Sequence, residues 1–317
     1  MSRRGILTIA GLTLLCIAVG GLRLVVGSEG LGLSQHPEIN EIRLHRLFIG
    51  SLVGGSLGLA GALLQSLLRN PLASPDLMGL TAGAGFAVTL RTWQLGIALG
   101  AGAAAFPALL GAISVLVFVW FLSQRRGLID PVSMILVGVI LSVILGAATM
   151  LVASLMPDRG FSVSRWMMGA LREDISPAPI WISAGVLAVV LAWSIAVARG
   201  FDAMALSEDE ARSVGVRVGM IRAGQLVGSG VLTAVSIVLA GPIGFVGLVC
   251  PHIVRLLAGP AHRTLVIGSM LAGVALVVGA DTFVRLVSTD AGRIPIGVVT
   301  SLIGGPMFLV LLLKMRR

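Results

Sequence analysis

Few residues in this 317-residue sequence could do chemistry. Asp281 is the one acid deep in an apolar run, and Arg285 follows four residues later. That spacing puts both on one helix face, so the pattern predicts a structural ion pair rather than a reacting group. Paired intramembrane carboxylates, which a proton relay or an intramembrane protease needs, are missing. His252 has no second His, Cys or carboxylate at ligand spacing, so no metal site is expected and the residue reads as packed and structural. Cys16 and Cys250 both lie in apolar runs and support neither a disulfide framework nor a thiolate site. No GxxxxGK[ST], HExxH or GxSxG pattern occurs. The chain is expected to be no enzyme by itself and to hold no cofactor.

One polar segment stands apart. In "FDAMALSEDEARSVGVRVGMIR" (201–222), Ser207 and Glu210 have the spacing of a capping box. Glu208, Asp209 and Glu210 suit the positive end of a helix, Arg212 its negative end, and Gly215 supplies a stop. This predicts a short, well-capped helix, built more firmly than a passive connector needs. A docking surface at about 201–217 is the function it suggests.

The elements around these residues are set by the solvent. Apolar residues make up 56% of the chain and charged ones 12%, with a mean hydropathy of +1.03. Only a bilayer suits that balance, so the fold class is an all-α polytopic membrane protein. Hydropathy divides the chain into ten spans: 5–25, 47–68, 77–92, 97–122, 132–154, 179–198, 219–240, 246–259, 265–287 and 296–313. The N-terminal "MSRRGILTIAGL" has a signal-like flavour but reads as a retained first helix. An even count puts both termini on one side, and "SRR" and "KMRR" make that side cytoplasmic. The net charge of +9 then reflects topology rather than nucleic-acid binding, since no aromatic-interleaved basic surface accompanies it. Arg43, Arg46 and Arg293 violate the rule by lying at outer ends, and so demand a reason. The whole chain, 1–317, reads as one transmembrane domain.

Two junctions break the spans. "RNPLASPDLMG" (69–79) carries two prolines after the second span. "GPIGFVG" (241–247) interrupts the 27 residues from Val231 to Leu257, which hold one charge. Non-helical backbone at membrane depth survives only when buried in protein or lining a cavity. Corresponding breaks in two halves mark transport pathways. Pro242 marks the second break, and Pro251 beyond it frees a backbone carbonyl.

The residues of this second break also carry a resemblance. "GPIGFVGLVCPHIVRLLAGPAHR" resembles the signature of permease subunits of bacterial ABC importers for iron–siderophore complexes, haem and cobalamin, the type II importers. "RLHRLFIGSLVGGSLGLAGALLQSLLRNPLASPDLMGLTAGAG", "LSEDEARSVGV", "RIPIGVVTSLIGGPMFLVLLLKMRR" and the shorter "WMMG" agree in order and spacing. The resemblance runs from about Glu41 to Lys314. It implies a ten-helix inner-membrane subunit that pairs with a second copy of itself and sits on cytoplasmic ABC ATPase subunits. Those ATPases would hold the ATP and Mg2+. A periplasmic or lipid-anchored binding protein would dock on the outer face through Arg43, Arg46 and Arg293. Residues Ser207–Gly215 would contact the ATPase, and Asn70, Leu72, Asp130 and Ser133 would belong to the inner gate.

The sequence departs from the family pattern at three places. His45 replaces the proline of the "RLPR" motif, which is expected to alter the local turn. Ser74 and Asp76 stand where "NPLADPG" is commoner, which rearranges the polarity of the inner loop. The chain has no tyrosine, so phenolic contacts to a cargo are not available. The alternative function is a stand-alone ion-coupled secondary transporter, which would need the acidic relays the sequence lacks.

Overall fold

Long apolar runs closed by Pro at their starts and Gly at their ends give a bundle of helices. The computed structural model describes residues 2–27, 30–32, 34–125, 128–156, 163–172, 175–287 and 294–315. Helix α1 (Arg3–Val25) is capped by Ser2, whose Oγ accepts from the Gly5 N–H at 3.1 Å. Helix α2 (Pro37–Leu68) has Pro at its first position and ends at Arg69 in the left-handed region. A 3-10 turn (Pro75–Met78) leads into α3 (Leu80–Leu95). Then come α4 (Ala101–Leu122) and α5 (Pro131–Ser154), a helical stretch at 163–167, and α6 (Pro177–Ala196). Two short helices, α7 (Ala198–Leu206) and α8 (Glu208–Ser213), precede α9 (Val218–Ala240). The bundle closes with α10 (Val246–Ala258), α11 (His262–Val287) and α12 (Ile296–Met315).

Seven of these helices (α1, α2, α4, α5, α6, α9 and α11) are long and apolar enough to cross a membrane. Helix α10 and residues 296–307 of α12 are shorter apolar helices. Each expected span has a helix at its place, with one large shift. Helix α2 starts at Pro37, ten residues before the expected 47, because its first three turns are polar but helical. Arg43, His45 and Arg46 therefore lie inside a helix rather than in a loop, and His45 makes no special turn. Two minimal antiparallel ladders, Val26–Gly27 with Gly30–Leu31 and Gln124–Arg125 with Leu128–Ile129, are the strand content among the described residues.

Helix α2 is the axis of the fold. It is buried along most of its length against α9, α10 and α11. Membrane helices gain no hydrophobic drive from one another and associate through close packing of small residues instead. Gly54 faces Gly273, Gly58 faces Ser269, and a Cβ at Gly61 would come within 1.9 Å of the Gly247 carbonyl oxygen. By contrast, α1, α4, α5 and α6 leave broad apolar faces open, with Ile140, Val143, Leu151 and Val189 more than half exposed.

Candidate functional site

The two sequence breaks meet inside the bundle. Gly61, two turns before the end of α2, packs on Gly247 at the start of α10, and Gly247 in turn lies against Pro75. Gly241 takes φ +68°, ψ −171°, which suits a residue without a side chain, and turns the chain out of α9. The turn is held from outside: Ala170 N–H donates to the Ala240 carbonyl at 2.7 Å, and Ile296 N–H to the Gly169 carbonyl at 3.1 Å. The "WMMG" segment thus joins the α9–α10 break to the start of α12. Pro251 leaves the Gly247 carbonyl without its helical donor. The Gln65 side chain of α2 takes its place, with Nε2 3.5 Å from that oxygen and 3.1 Å from the Leu248 oxygen. Pro242 follows the Gly241 turn, and Pro251 lies within α10. The expected structural histidine, His252, is partly buried in α10.

Where the breaks meet, a cavity of about 510 Å³ opens, lined by Asp76, Thr81, Met167, Met168, Gly244 and Ser301 among others. Asp76 is exposed to it and accepts from Thr81 Oγ1 at 3.3 Å.

The end of the bundle that carries α8 is a second centre. Ser207 Oγ accepts from the Glu210 N–H at 3.0 Å, the first half of the expected capping box. The stop is formed by Val216 N–H donating to the Ala211 carbonyl, with Gly215 at φ +82° between them. Asp209, Glu210, Arg212 and Gly215 face outward, beside the exposed apolar side chains of Leu206, Val214 and Met220. Glu208 turns inward instead. It pairs with Arg222 of α9, lies 3.5 Å from Arg69 at the end of α2, and is 3.9 Å from Arg212. Arg222 also donates to the Ile129 carbonyl at 3.2 Å, and Arg69 to the Met204 carbonyl at 2.7 Å. One carboxylate therefore ties α8 to α2, α9 and the strand leading into α5.

The expected gate residues sit on these same connections. Asn70 Oδ1 accepts from the Leu72 N–H at 2.9 Å and shapes the turn after α2. Asp130 caps α5, accepting from the Ser133 N–H at 2.9 Å and from Ser133 Oγ at 2.6 Å. Those two bonds hold its carboxyl below the usual aspartate range. Both expected gate segments are one residue from a partner of Glu208 or of Arg222.

Sequence reasoning missed a polar clamp at the same end. His262 Nδ1 lies 2.8 Å from Asp202 Oδ1, and its Nε2 lies 3.1 Å from Ser66 Oγ. Gln225 Nε2 donates to the same Oγ at 2.9 Å. The order Asp–His–Ser repeats that of a hydrolytic triad. Ser66, however, lies within α2, whose backbone N–H groups are committed to helical bonds and cannot form an oxyanion hole. The set joins α2, α7, α9 and α11. Its members are 23 to 196 residues apart along the chain, so no local spacing announced it.

At the opposite end the expected ion pair is corrected. Asp281 is held by two residues from other helices, with Arg23 Nε 2.5 Å from Oδ2 and Arg46 Nη2 2.6 Å from Oδ1. Arg285 is not the group that neutralises it. The reason is burial: Asp281 is 1% and Arg23 0% exposed, and both carboxylate oxygens point into the α1–α2–α11 seam. This also corrects the docking expectation for Arg46, whose charge is spent inside the chain. Arg43 is 4% exposed and donates through Nη1 to the Leu24 and Gly32 carbonyls, both at 2.7 Å. It ties down the loop after α1. Arg293 lies outside the described residues.

Comparison with known proteins agrees with this architecture. The FecCD transport family model matches residues 7–314. The cobalamin import system permease protein BtuC of Halobacterium salinarum is 36% identical over 282 residues, covering 86% of this chain and 73% of that protein. The ferric enterobactin transport system permease protein FepD of Escherichia coli is 33% identical, covering 98% and 96%. The hemin transport system permease protein HmuU of Yersinia pestis is 32% identical, covering 87% and 83%. A solved structure of a metal-chelate type ABC transporter in an inward-facing conformation superposes with a TM-score of 0.84 at 28% identity, covering 96% of this chain and 98% of that one.

Proposed function

This chain belongs to the FecCD transport family, and from that premise we propose that it is the membrane-spanning permease subunit of an ATP-driven importer of a metal chelate: a ferric siderophore, haem or cobalamin. The observation that carries the reading is the Glu208 node. A capped helix with exposed apolar anchors is wired, through one carboxylate and two arginines, to both gate segments. The sequence has no nucleotide loop of its own, so the force on that helix comes from a partner.

In this reading cytoplasmic ABC ATPase subunits, with ATP and Mg2+, seat Leu206, Asp209, Arg212 and Val214. The chain crosses the inner membrane ten times, with α3, α10 and α12 added to the seven longer spans and both termini cytoplasmic. It functions as a homodimer. The support for a second copy is Asp76: an exposed carboxylate among apolar side chains cannot face hydrocarbon. Covering the cavity with a copy of the same face gives it a watered, enclosed path. A binding protein docks at the outer end through loop residues, including Arg293, while Arg46 serves as an internal strut.

Proteoliposomes holding this chain and its ATPase test the reading. Uptake of chelate from the binding protein is expected only with ATP. Uptake without the ATPase, driven by an ion gradient, would favour the secondary transporter instead.

A further inference from the structure

The cavity between the two breaks has an electrostatic character that the family match does not assign. Its walls are mostly apolar, from Met167, Met168, Pro242, Val298 and Leu302. One charged group faces it, Asp76. Among the described residues no Arg, Lys or His forms an ion pair with that carboxylate. Thr81 engages Oδ1 only, at a long 3.3 Å. Oδ2 lies over Gly244 in the α9–α10 break, 3.8 Å from where a Cβ there would stand. An ionised carboxylate on the wall of a watered cavity, with no cation paired to it, attracts a cation and repels an anion.

From this, and resting on the transport reading above, we propose that Asp76 is a specificity-determining residue of the path and that the cargo is a chelate with a net positive charge or a pendant ammonium. In a homodimer two such carboxylates flank one path. The interaction is a through-space bias across a wide cavity rather than a fixed salt bridge. A cargo can therefore be selected without being trapped, as conduction through a path requires. Met167, Met168, Thr81 and Ser301 add soft and polar contacts without charge.

The test uses the detergent-purified, full-length permease and three trihydroxamate gallium chelates of closely similar size. These are the ferrioxamine B type with its free ammonium, its N-acetyl form, which is neutral, and its N-succinyl form, which carries a carboxylate. Equilibrium dialysis is expected to rank them cationic, neutral, anionic. Each step should be about fivefold to tenfold, the size of a Coulomb interaction over roughly 10 Å at intermediate dielectric. Asp76→Asn keeps the shape and should level the three, and Asp76→Lys should invert the order. Equal binding of the three chelates by the wild type, or an unchanged ranking in Asp76→Asn, overturns the proposal. The carboxylate would then serve only the turn before α3. ATP-driven uptake of chelate by the wild-type importer is measured in parallel. Its loss would sink the transport reading, whereas intact uptake with no charge ranking sinks this inference alone.

Discussion

At the scale of single residues, the sequence showed which charges were costly but not what met them. Asp281 stood out because a lone acid in an apolar run must be neutralised, and its burial bears that out. Its partners could not be read, because Arg23 and Arg46 lie 258 and 235 residues away and the nearer Arg285 offered a plausible local pair. Removing one member of a buried ion cluster leaves an uncompensated charge, at a cost on the order of 3–5 kcal/mol. Asp281→Asn, which strands two arginines, is expected to lower the thermal unfolding midpoint in detergent sharply. Arg46→Ala should do so less, and Arg46→Lys least. An Asp281→Asn protein as stable as the wild type would remove the strut. Asp130 gives a pH-dependent counterpart. Its folded carboxyl is held low by Ser133, so its cap contributes above the ordinary aspartate range of about 4 and is lost as pH falls through the lowered value. Asp130→Ala should cost about 1 kcal/mol at neutral pH. Hydrogen exchange in the first turn of α5 should then converge for the two proteins as the medium is acidified.

Helices and their junctions were more legible than their contacts. At seven of the ten expected spans the described residues form a helix long and apolar enough to cross a membrane, and Gly241–Pro242 and the prolines after α2 marked the breaks. That the breaks touch depends on Gly61, Gly247 and Pro75, which are separated along the chain and carry no complementary chemistry. The start of α2 was misplaced for a different reason. Its first three turns hold Glu38, Glu41, Arg43 and Arg46, which hydropathy discards although they form a helix. Pro251 and Gln65 provide a test at this scale. Gln65→Ala should cost about 1–3 kcal/mol by leaving the Gly247 carbonyl without a donor. In a Pro251→Ala background the helix regains its own N–H for that oxygen, so the cost of Gln65→Ala should shrink. Fully additive losses in detergent unfolding would mean that Gln65 does not serve the freed carbonyl.

For the whole molecule, the account is one of mechanical connection. The capped helix α8 was visible in "LSEDEARSVGV". Glu208 was expected on the docking face, however, and is found turned inward towards Arg222 and Arg69. A carboxylate in the first turn suits the helix end wherever it points, so its spacing could not say which neighbour it would meet. Through it, α8 is linked to Ile129 ahead of α5 and to Arg69, which precedes the turn at Asn70 after α2. The most direct measurement is the ratio of chelate transported to ATP hydrolysed, in proteoliposomes carrying Glu208→Ala, Arg222→Ala or both. If the two residues act as one link, each single variant will hydrolyse ATP but transport about tenfold less, and the double variant will be no worse than either single. Wild-type ratios in the single variants, or losses that multiply in the double, would contradict it.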